Sequence, residues 1–282
     1  MMNLTRLLRI VMLLTPLLMA NAVQADSKGH IYYDRGVALA AQGKFDDAKE
    51  TFEQALKTDP QNYPVLRCLS VLRDLGRRRI KEQTAVHLFQ AFSAFNRYRA
   101  DTAILNLDQA AELDPDYPLI FAHRGDAFLD QGRSREALAD YNKAPEMDPE
   151  YAAGFVNRGN YYSRQGQFDQ AIVDYSRAIQ IEPQNALAYY SRGNAYGGQG
   201  RLDAAIADYD KILEINLQYP HAYVRKGLAL EKLGRLQDAL AVYKAYLQNL
   251  NLQDQDPQQV KWVEDKIKSF DKNLLLNGKK TK

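Results

Sequence analysis

The sequence predicts an all-α fold in which pairs of short helices stack on one another. Three observations support this prediction: a period of 34 residues across 118–253, apolar residues at helical spacing within each period, and Gly or Pro residues between most of the predicted helices. A fixed period of this length is typical of a repeat array, in which each copy needs its neighbours to bury its apolar face.

Four columns of residues recur in phase through four copies, at 118–151, 152–185, 186–219 and 220–253. The first two columns are Gly, the third is Ala and the fourth is Tyr: Gly125, Gly159, Gly193, Gly227; Gly132, Gly166, Gly200, Gly234; Ala137, Ala171, Ala205, Ala239; and Tyr141, Tyr175, Tyr209, Tyr243. Agreement among four independent columns indicates one structural unit that is repeated.

Each copy contains two amphipathic segments, which we name the first and second helix of the repeat. In 152–185 the first segment ends at Gly166, and Pro183 follows the second. Helical periodicity interrupted by Gly and closed by Pro predicts two helices of about 13 residues.

This pattern resembles the tetratricopeptide repeat, which has aromatic residues around a Gly on its first helix and Ala, aromatic, Ala and Pro on its second. The matching residues in one copy are Phe155, Gly159, Tyr162, Ala171, Tyr175, Ala178 and Pro183. The resemblance implies a right-handed superhelical solenoid. It also implies that the first helices line a concave groove, which binds extended peptides or helices of partner proteins.

A regular departure from the family pattern is a cation before the first-helix Gly, where the family commonly has Leu: Arg35, Arg124, Arg158, Arg192 and Lys226. Three copies carry an acid 16 residues later: Asp140, Asp174 and Asp208. We expect an Arg–Asp pair inside each of these three units. The alternatives are an exposed pair that contributes little to stability and, less favoured, a ligand site.

The phase breaks after the first repeat, at 26–62. Residues 63–83 predict an extra helix and turn, or the start of a long helix reaching Arg97, and 84–117 predicts a degenerate repeat in which Ala91 replaces Gly. Cys68, the only Cys, lies on an apolar stripe and is expected to be buried. Phe89, Phe92 and Phe95 recur every three residues. Core packing against the extra helix is the first interpretation, and an apolar patch for a partner's side chain is the second.

At the other end, 254–276 predicts a capping helix that covers the last apolar face of the array. Its apolar stripe consists of Val260, Val263, Ile267, Phe270 and Leu274. The basic tail at 277–282 is predicted to be disordered. Pro145 lies in the last turn of a predicted second helix, so we expect that helix to end early or bend.

The first 25 residues predict a secretory signal peptide, with Arg6 and Arg9 before an apolar run. Cleavage is expected after Ala25, or alternatively after Ala22, and an uncleaved anchor is the other interpretation. The predicted location is the bacterial periplasm or the exterior. No later segment is apolar enough to span a membrane. Removing the leader lowers the net charge from +2 to 0, so neither nucleic acid nor an anionic membrane is an expected partner.

No residues form a catalytic or metal-binding pattern. The four His, at His30, His87, His123 and His221, are far apart in sequence and lack metal-ligand spacing. There is no phosphate-binding Gly loop and no nucleophile motif. We therefore predict no enzymatic activity, no cofactor and no metal.

The predicted function is an exported, non-catalytic scaffold that binds a peptide or helix of a partner protein. Candidate contacts on the first helices are Asp126, Asn157, Asn160, Tyr190, Asn194 and Arg225, together with Phe92. Side-chain amides can hold a peptide backbone; ordinary solvated positions are the alternative. A carboxylate clamp is not expected, because only Asn160 and Arg225 match the family's version. The alternative function is a structural or self-assembling protein of the cell envelope, which leaves a homo-oligomer open.

Overall fold

The structure, a computed structural model, describes residues 28–58, 62–250 and 256–278, and it covers the backbone alone at 28, 29, 58, 63 and 271–278. These parts of the chain form fourteen helices and no β-strand. The chain divides into two units, Met1–Gly154 (unit 1) and Phe155–Lys282 (unit 2). The predicted signal peptide and its cleavage sites lie outside the described residues.

The helices are short and nearly equal in length. Unit 1 contains α1 (Lys28–Ala40), α2 (Phe45–Thr58), α3 (Tyr63–Gly76), α4 (Glu82–Phe95), α5 (Ala100–Leu113), α6 (Pro118–Asp130) and α7 (Ser134–Met147). Helix α8 (Ala152–Arg164) begins at the end of unit 1. Unit 2 continues with α9 (Phe168–Ile181), α10 (Ala186–Gly198), α11 (Leu202–Ile215), α12 (Pro220–Lys232), α13 (Leu236–Asn249) and α14 (Pro257–Gly278).

Neighbouring helices pack as antiparallel pairs, and the pairs stack within each unit. In unit 1, α1 packs on α2, α4 on α5, and α6 on α7; in unit 2, α10 packs on α11 and α12 on α13. The second helix of one pair then contacts the first helix of the next, as in α5 with α6 and α11 with α12. The prediction of an all-α array of stacked helical pairs is therefore confirmed.

The first Gly column makes room for the aromatic column. A Cβ atom at Gly159 would lie 2.7 Å from Tyr175 Cε1, closer than atoms can pack, so only Gly lets the ring sit against the first helix. The same relation joins Gly193 to Tyr209. The second Gly column supplies the left-handed turn between the helices of a pair, as at Gly166 with φ 74°.

The degenerate repeat has Tyr where the other repeats have the turn Gly. Tyr98 lies 34 residues before Gly132 and adopts φ 55°, and its side chain is 85% exposed. Preceding it, α3 ends at Gly76 and α4 begins at Glu82. The alternative of one long helix reaching Arg97 is therefore wrong, because five residues separate the two helices.

Of the two effects expected of Pro145, early termination of the helix does not occur. Helix α7 runs through Pro145 to Met147 and has 14 residues, as do most second helices. A Pro this close to the end removes one backbone donor in the last turn. The missing donor is the one that would bond to the Tyr141 carbonyl, and the helical bonding resumes with the Asp148 N–H, which donates to the Ala144 carbonyl at 3.2 Å.

Helix α14 covers the apolar end of unit 2. Val263 and Phe270 are buried in a cluster with Tyr243 and Tyr246, and Trp262 packs edge-on against Tyr243. Val260 and Ile267 pack against the same cluster, while the side chain of Leu274 lies outside the described residues. The helix extends to Gly278, so the backbone at 277–278 is helical and not part of a disordered tail.

Candidate functional site

The three expected Arg–Asp pairs are present, and their acids are buried. Arg192 donates to both carboxylate oxygens of Asp208, from Nη2 at 2.7 Å and from Nε at 2.9 Å, and the Asp208 side chain is 7% exposed. Arg124 holds Asp140, and Arg158 holds Asp174, in the same two-bond geometry. The hydrogen bonds to Asp208 raise the pKa of Arg192. Each pair joins the first and second helix of one repeat, as the sequence predicted.

The same cations also contact the preceding repeat. Arg192 Nη1 donates to Ser176 Oγ at 3.0 Å, 16 residues earlier on α9, and Arg124 Nη1 donates to Asp108 on α5 at 2.7 Å. Lys226 has Val242 instead of an acid 16 residues later, and it pairs with Asp210, 16 residues earlier. Arg124, Arg192 and Lys226 therefore each tie their own first helix to the second helix of the repeat before it.

Tyrosines of the second helices hydrogen-bond to three of the candidate contact residues. The Tyr175 hydroxyl donates to Asn160 Oδ1 at 2.8 Å, and the Tyr209 hydroxyl donates to Asn194 Oδ1 at 2.9 Å. In unit 1 the Tyr141 hydroxyl donates to Asp126 Oδ1 at 2.7 Å. Each bond spans 15 residues, so the 34-residue period repeats it, and we name these bonds the tyrosine ladder. Because the hydroxyl uses Oδ1, each Asn keeps its Nδ2 amino group for a further bond.

Unit 2 also carries an aromatic cluster on its first helices. Tyr190 on α10 lies 5.8 Å from Tyr219 and 6.2 Å from His221, measured between ring centroids. Arg225 Nε donates to the Tyr190 hydroxyl at 3.3 Å. Packing of the surrounding groups, followed by the charge of Arg225, lowers the pKa of His221. The cluster presents aromatic faces beside one guanidinium.

The structure brings part of the predicted set together. We define the first-helix face of unit 2 as five half-buried residues: Asn157, Asn160, Tyr190, Asn194 and Arg225. Tyr190 and Arg225 are in direct contact, whereas Asn160 and Asn194 are held by their own tyrosines. Tyr219 and His221 lie beside Tyr190 and were not among the predicted contacts. Tyr219 recurs as Tyr117 and Tyr151 at the 34-residue period, so its column could have indicated it, whereas His221 occurs in one copy and shows no periodicity.

The two candidates in unit 1 have different surroundings. Asp126 accepts from Tyr141 and lies 3.4 Å from Nδ1 of His123, measured from Oδ2. Phe92 is 5% exposed and packs edge-on against His123 at 4.9 Å and against Phe89 at 5.7 Å. Phe92 is therefore a core residue rather than an open apolar patch, and the contacts that bury it include Phe89 and His123.

Neither a metal cluster nor a membrane-crossing helix occurs in the described parts of the chain. No three His, Cys, Asp or Glu side chains among residues 28–58, 62–250 and 256–278 are grouped to hold an ion. Within the same ranges, every helix is too short or too polar to cross a bilayer. Cys68 is buried and free, as expected from its stripe.

Comparisons with known structures show the same fold. The chain is similar to the crystal structure of MamA, with 26% identity and a TM-score of 0.51, over 60% of this chain and 92% of that one. It is similar to PilF of Pseudomonas aeruginosa, with 19% identity and a TM-score of 0.57, over 68% of this chain and 90% of that one. MamA of Desulfovibrio magneticus RS-1 matches at 16% identity, with a TM-score of 0.52, over 60% and 96% of the two chains.

Family sequence models identify the repeats themselves. The tetratricopeptide repeat models match residues 31–62, 186–219 and 220–248, and a model for successive repeats of this kind matches 125–166 and 159–200. None of the curated proteins compared with the chain matches it. Repeats of this family typically mediate protein–protein interaction. Because these matches together span more than half of its residues, the chain belongs to the tetratricopeptide repeat family.

Proposed function

We propose that this protein is an exported, non-catalytic scaffold, and that the first-helix face of unit 2 binds an extended segment of a partner protein. The tyrosine ladder is the observation that carries the proposal. It holds Asn160 and Asn194 by Oδ1 at equivalent points of two successive repeats. Each Nδ2 group can donate to a backbone carbonyl of the partner, as extended-peptide recognition requires.

The aromatic cluster supports the same face. Tyr190 contacts Tyr219, His221 and Arg225, and the three rings offer surfaces to an apolar side chain of the bound segment. Tyr and Arg are the residues most often found at the energetic centres of protein interfaces. Since Arg225 and Tyr190 already hold one another, little ordering of this protein is needed when the partner binds.

The decisive test is the double substitution Asn160→Asp with Asn194→Asp. Asp keeps the oxygen that accepts from the tyrosine, as Asp126 does for Tyr141, but it removes the Nδ2 donor. A partner captured from the envelope fraction of the producing cell, then purified, should bind the double variant at least about tenfold more weakly, a loss equal to one or two hydrogen bonds.

The matched control for this test replaces exposed second-helix residues of the same unit, by Gln170→Ala with Gln237→Ala. This variant should bind the partner like the wild type. Equal binding by the Asp variant, the control and the wild type would show that the ladder asparagines are not the contact.

Export is the second part of the proposal. The basic and apolar leader at 1–25 supports it, and mass spectrometry of the protein recovered from the periplasm tests it. We expect a mature N-terminus at Asp26, or at Val23 if cleavage follows Ala22. Recovery of the full chain from the cytoplasm alone would contradict export.

Self-assembly is the competing function, in which the ends of the array join chains into a structural polymer of the cell envelope. Light scattering coupled to size exclusion separates the two proposals. A monomer at all accessible concentrations agrees with the scaffold, whereas a mass that rises with concentration favours assembly.

A further inference from the structure

Helix α3 stands outside the pairing of unit 1. α1 pairs with α2 and α4 pairs with α5, and α1 and α4 also contact one another directly. α3 contacts α1, α2 and α4 in addition. The first two repeats therefore contact one another directly through α1 and α4. Helix α3 is an additional helix packed against them.

This added helix packs on α2, which precedes it, and also reaches the first helices of three repeats. Arg67 Nη1 donates to His123 Nε2 on α6 at 3.2 Å, and Asp74 Oδ2 accepts from the Tyr117 hydroxyl, just before α6, at 2.9 Å. On α1, burial and then the neighbouring Cys68 raise the pKa of Tyr33. α3 therefore spans the surface from α1 past α4 to α6.

The surface under α3 is the equivalent, in unit 1, of the first-helix face of unit 2. His123 lies 34 residues before Asn157, and Asp126 lies 34 residues before Asn160. Asn157 and Asn160 are half-buried, whereas His123 is only 3% exposed. The same repeat position is thus partly accessible at Asn157 in unit 2 and buried at His123 in unit 1, where Arg67 contacts the ring.

The inward side of α3 is narrow and apolar. Val65, Cys68 and Val71 are fully buried and recur every three residues, while Leu66 and Arg73 face outward and are exposed. Such spacing places small residues along one side of a helix. An amphipathic helix lying in an apolar groove is a general mode of peptide recognition.

A polar contact fixes the position of α3 on this surface. His123 accepts from Arg67 at Nε2 and lies 3.4 Å from Asp126 at Nδ1, an arrangement that suits a neutral ring with its proton on Nδ1. At the far end of α3, Arg78 in the following turn adopts φ 55°, a strained backbone for a residue with a side chain. Relaxation of this turn would therefore lower its free energy.

We propose that the first helices of unit 1 form a helix-binding surface, which α3 occupies within its own chain. The partner that takes its place is an amphipathic helix with the chemistry of α3. It has small apolar residues at i, i+3 and i+6, and an Arg at i+2 that meets His123 and Asp126. This surface is separate from the first-helix face of unit 2, so the two proposals stand or fall independently.

Cys68 is a native probe of whether α3 leaves the surface. It is the only Cys of the chain, and burial raises its pKa to about 12, so its thiol is unreactive while α3 is in place. We expect Arg67→Ala and Tyr117→Phe each to raise the rate of Cys68 modification by a thiol reagent about fivefold, the effect of losing one hydrogen bond. Arg73→Ala, which removes an exposed Arg of the same helix, is the matched control and should leave the rate unchanged.

The denaturant dependence of the rate separates local opening from global unfolding. Local opening of α3 exposes little surface, so the modification rate should depend only weakly on urea at low concentration. If Cys68 reacts only at the rate of global unfolding in every variant, or no faster in the two variants than in the control, α3 is a fixed part of the core and the proposal is wrong.

A peptide with the sequence of residues 62–77, carrying Cys68→Ala so that it does not consume reagent, tests the partner chemistry. Added to the Tyr117→Phe protein, it should raise the Cys68 modification rate to a plateau. The peptide with Val65→Asp and Val71→Asp should have no effect. Absence of a saturable effect, in protein whose circular dichroism shows an intact fold, would overturn the proposal. The result should be the same in the Asn160→Asp and Asn194→Asp background.

Discussion

Tyr175 and Asn160 join the core of a repeat to its exposed face: the Tyr175 hydroxyl donates to Asn160 Oδ1 at 2.8 Å, while its ring fills the space that Gly159 leaves beside α8. One aromatic residue therefore has two roles. Its ring packs the two helices together, and its hydroxyl fixes the orientation of an amide on the outer side of the first helix. The position of the candidate binding group thus depends on core packing one layer below.

Gly159→Ala should destabilise the protein by about 1–3 kcal/mol, the usual cost of overpacking, because the new Cβ would lie 2.7 Å from Tyr175 Cε1. Gly197→Ala on α10 is the control, since a Cβ there meets nothing within 4 Å, and it should stabilise the helix by about 0.5 kcal/mol. Urea denaturation measures both changes. Equal effects of the two substitutions would contradict the packing role of the first Gly column.

Tyr98→Gly should stabilise unit 1 by about 1 kcal/mol, because the residue adopts φ 55° and a side chain is strained in that region. Tyr98→Ala removes the exposed ring but keeps the strain, so its melting temperature should match that of the wild type. A gain with Ala as large as the gain with Gly would place the cause in the ring and not in the backbone.

Removing Arg192 should cost about 3 kcal/mol, because it leaves the nearly buried carboxylate of Asp208 without its partner. The comparison is Arg235→Ala, whose pair with Asp238 is half-exposed on both sides and should have little effect on stability. Both values follow from chemical denaturation at pH 7. If Arg192→Ala is as mild as Arg235→Ala, the Arg–Asp pairs are surface interactions after all.

Stability should fall as the pH drops below 6.5, partly through His123. Burial lowers the pKa of His123 below its ordinary value of 6.5, so below that pH the unfolded chain binds a proton that the folded protein does not. The contribution of His123 is complete above pH 6.5 and is lost toward its lower folded pKa. Asp126 and Arg67 are the charged groups that face this ring. The pKa of Asp126 is lowered from 3.8, so Asp126 stays ionised throughout the pH range that is measured.

Denaturation midpoints between pH 7.5 and 5 measure this effect. His123→Gln should show a shallower pH dependence than the wild type. His221→Gln is a needed companion, because the pKa of His221 is also lowered from 6.5. An identical pH dependence for the wild type and His123→Gln would exclude His123 as a source of the effect.

Periodicity predicted those features that every copy repeats. The turn at Gly166 was readable because four copies carry the Gly, and the spacing of 16 residues between Arg158 and Asp174 was readable because three copies carry the same pair. The tyrosine ladder was equally accessible, since Tyr175 follows Asn160 by 15 residues and Tyr209 follows Asn194 by the same distance. The constant spacing between the Tyr column and the Asn column was enough to predict these hydrogen bonds.

Features that occur once could not be derived in this way. The path of α3 across α6 depends on the contact of Arg67 with His123, 56 residues away, and no second pair of this kind occurs among the described residues. Pro145 was expected to end α7 early or to bend it, and the helix does not end early, because a Pro in the last turn removes only one donor. The turn at Tyr98 was not predicted, because the degenerate repeat was recognised from the residues of its second helix, which follow Tyr98.

Hydrogen–deuterium exchange of the mature protein, with and without its purified partner, tests the central claim most directly. We predict slowed exchange in the first helices α8 and α10, around Asn160 and Asn194, with little change in the second helices α9 and α11. Protection confined to the second helices, or to the two ends of the array, would contradict binding on the first-helix face of unit 2.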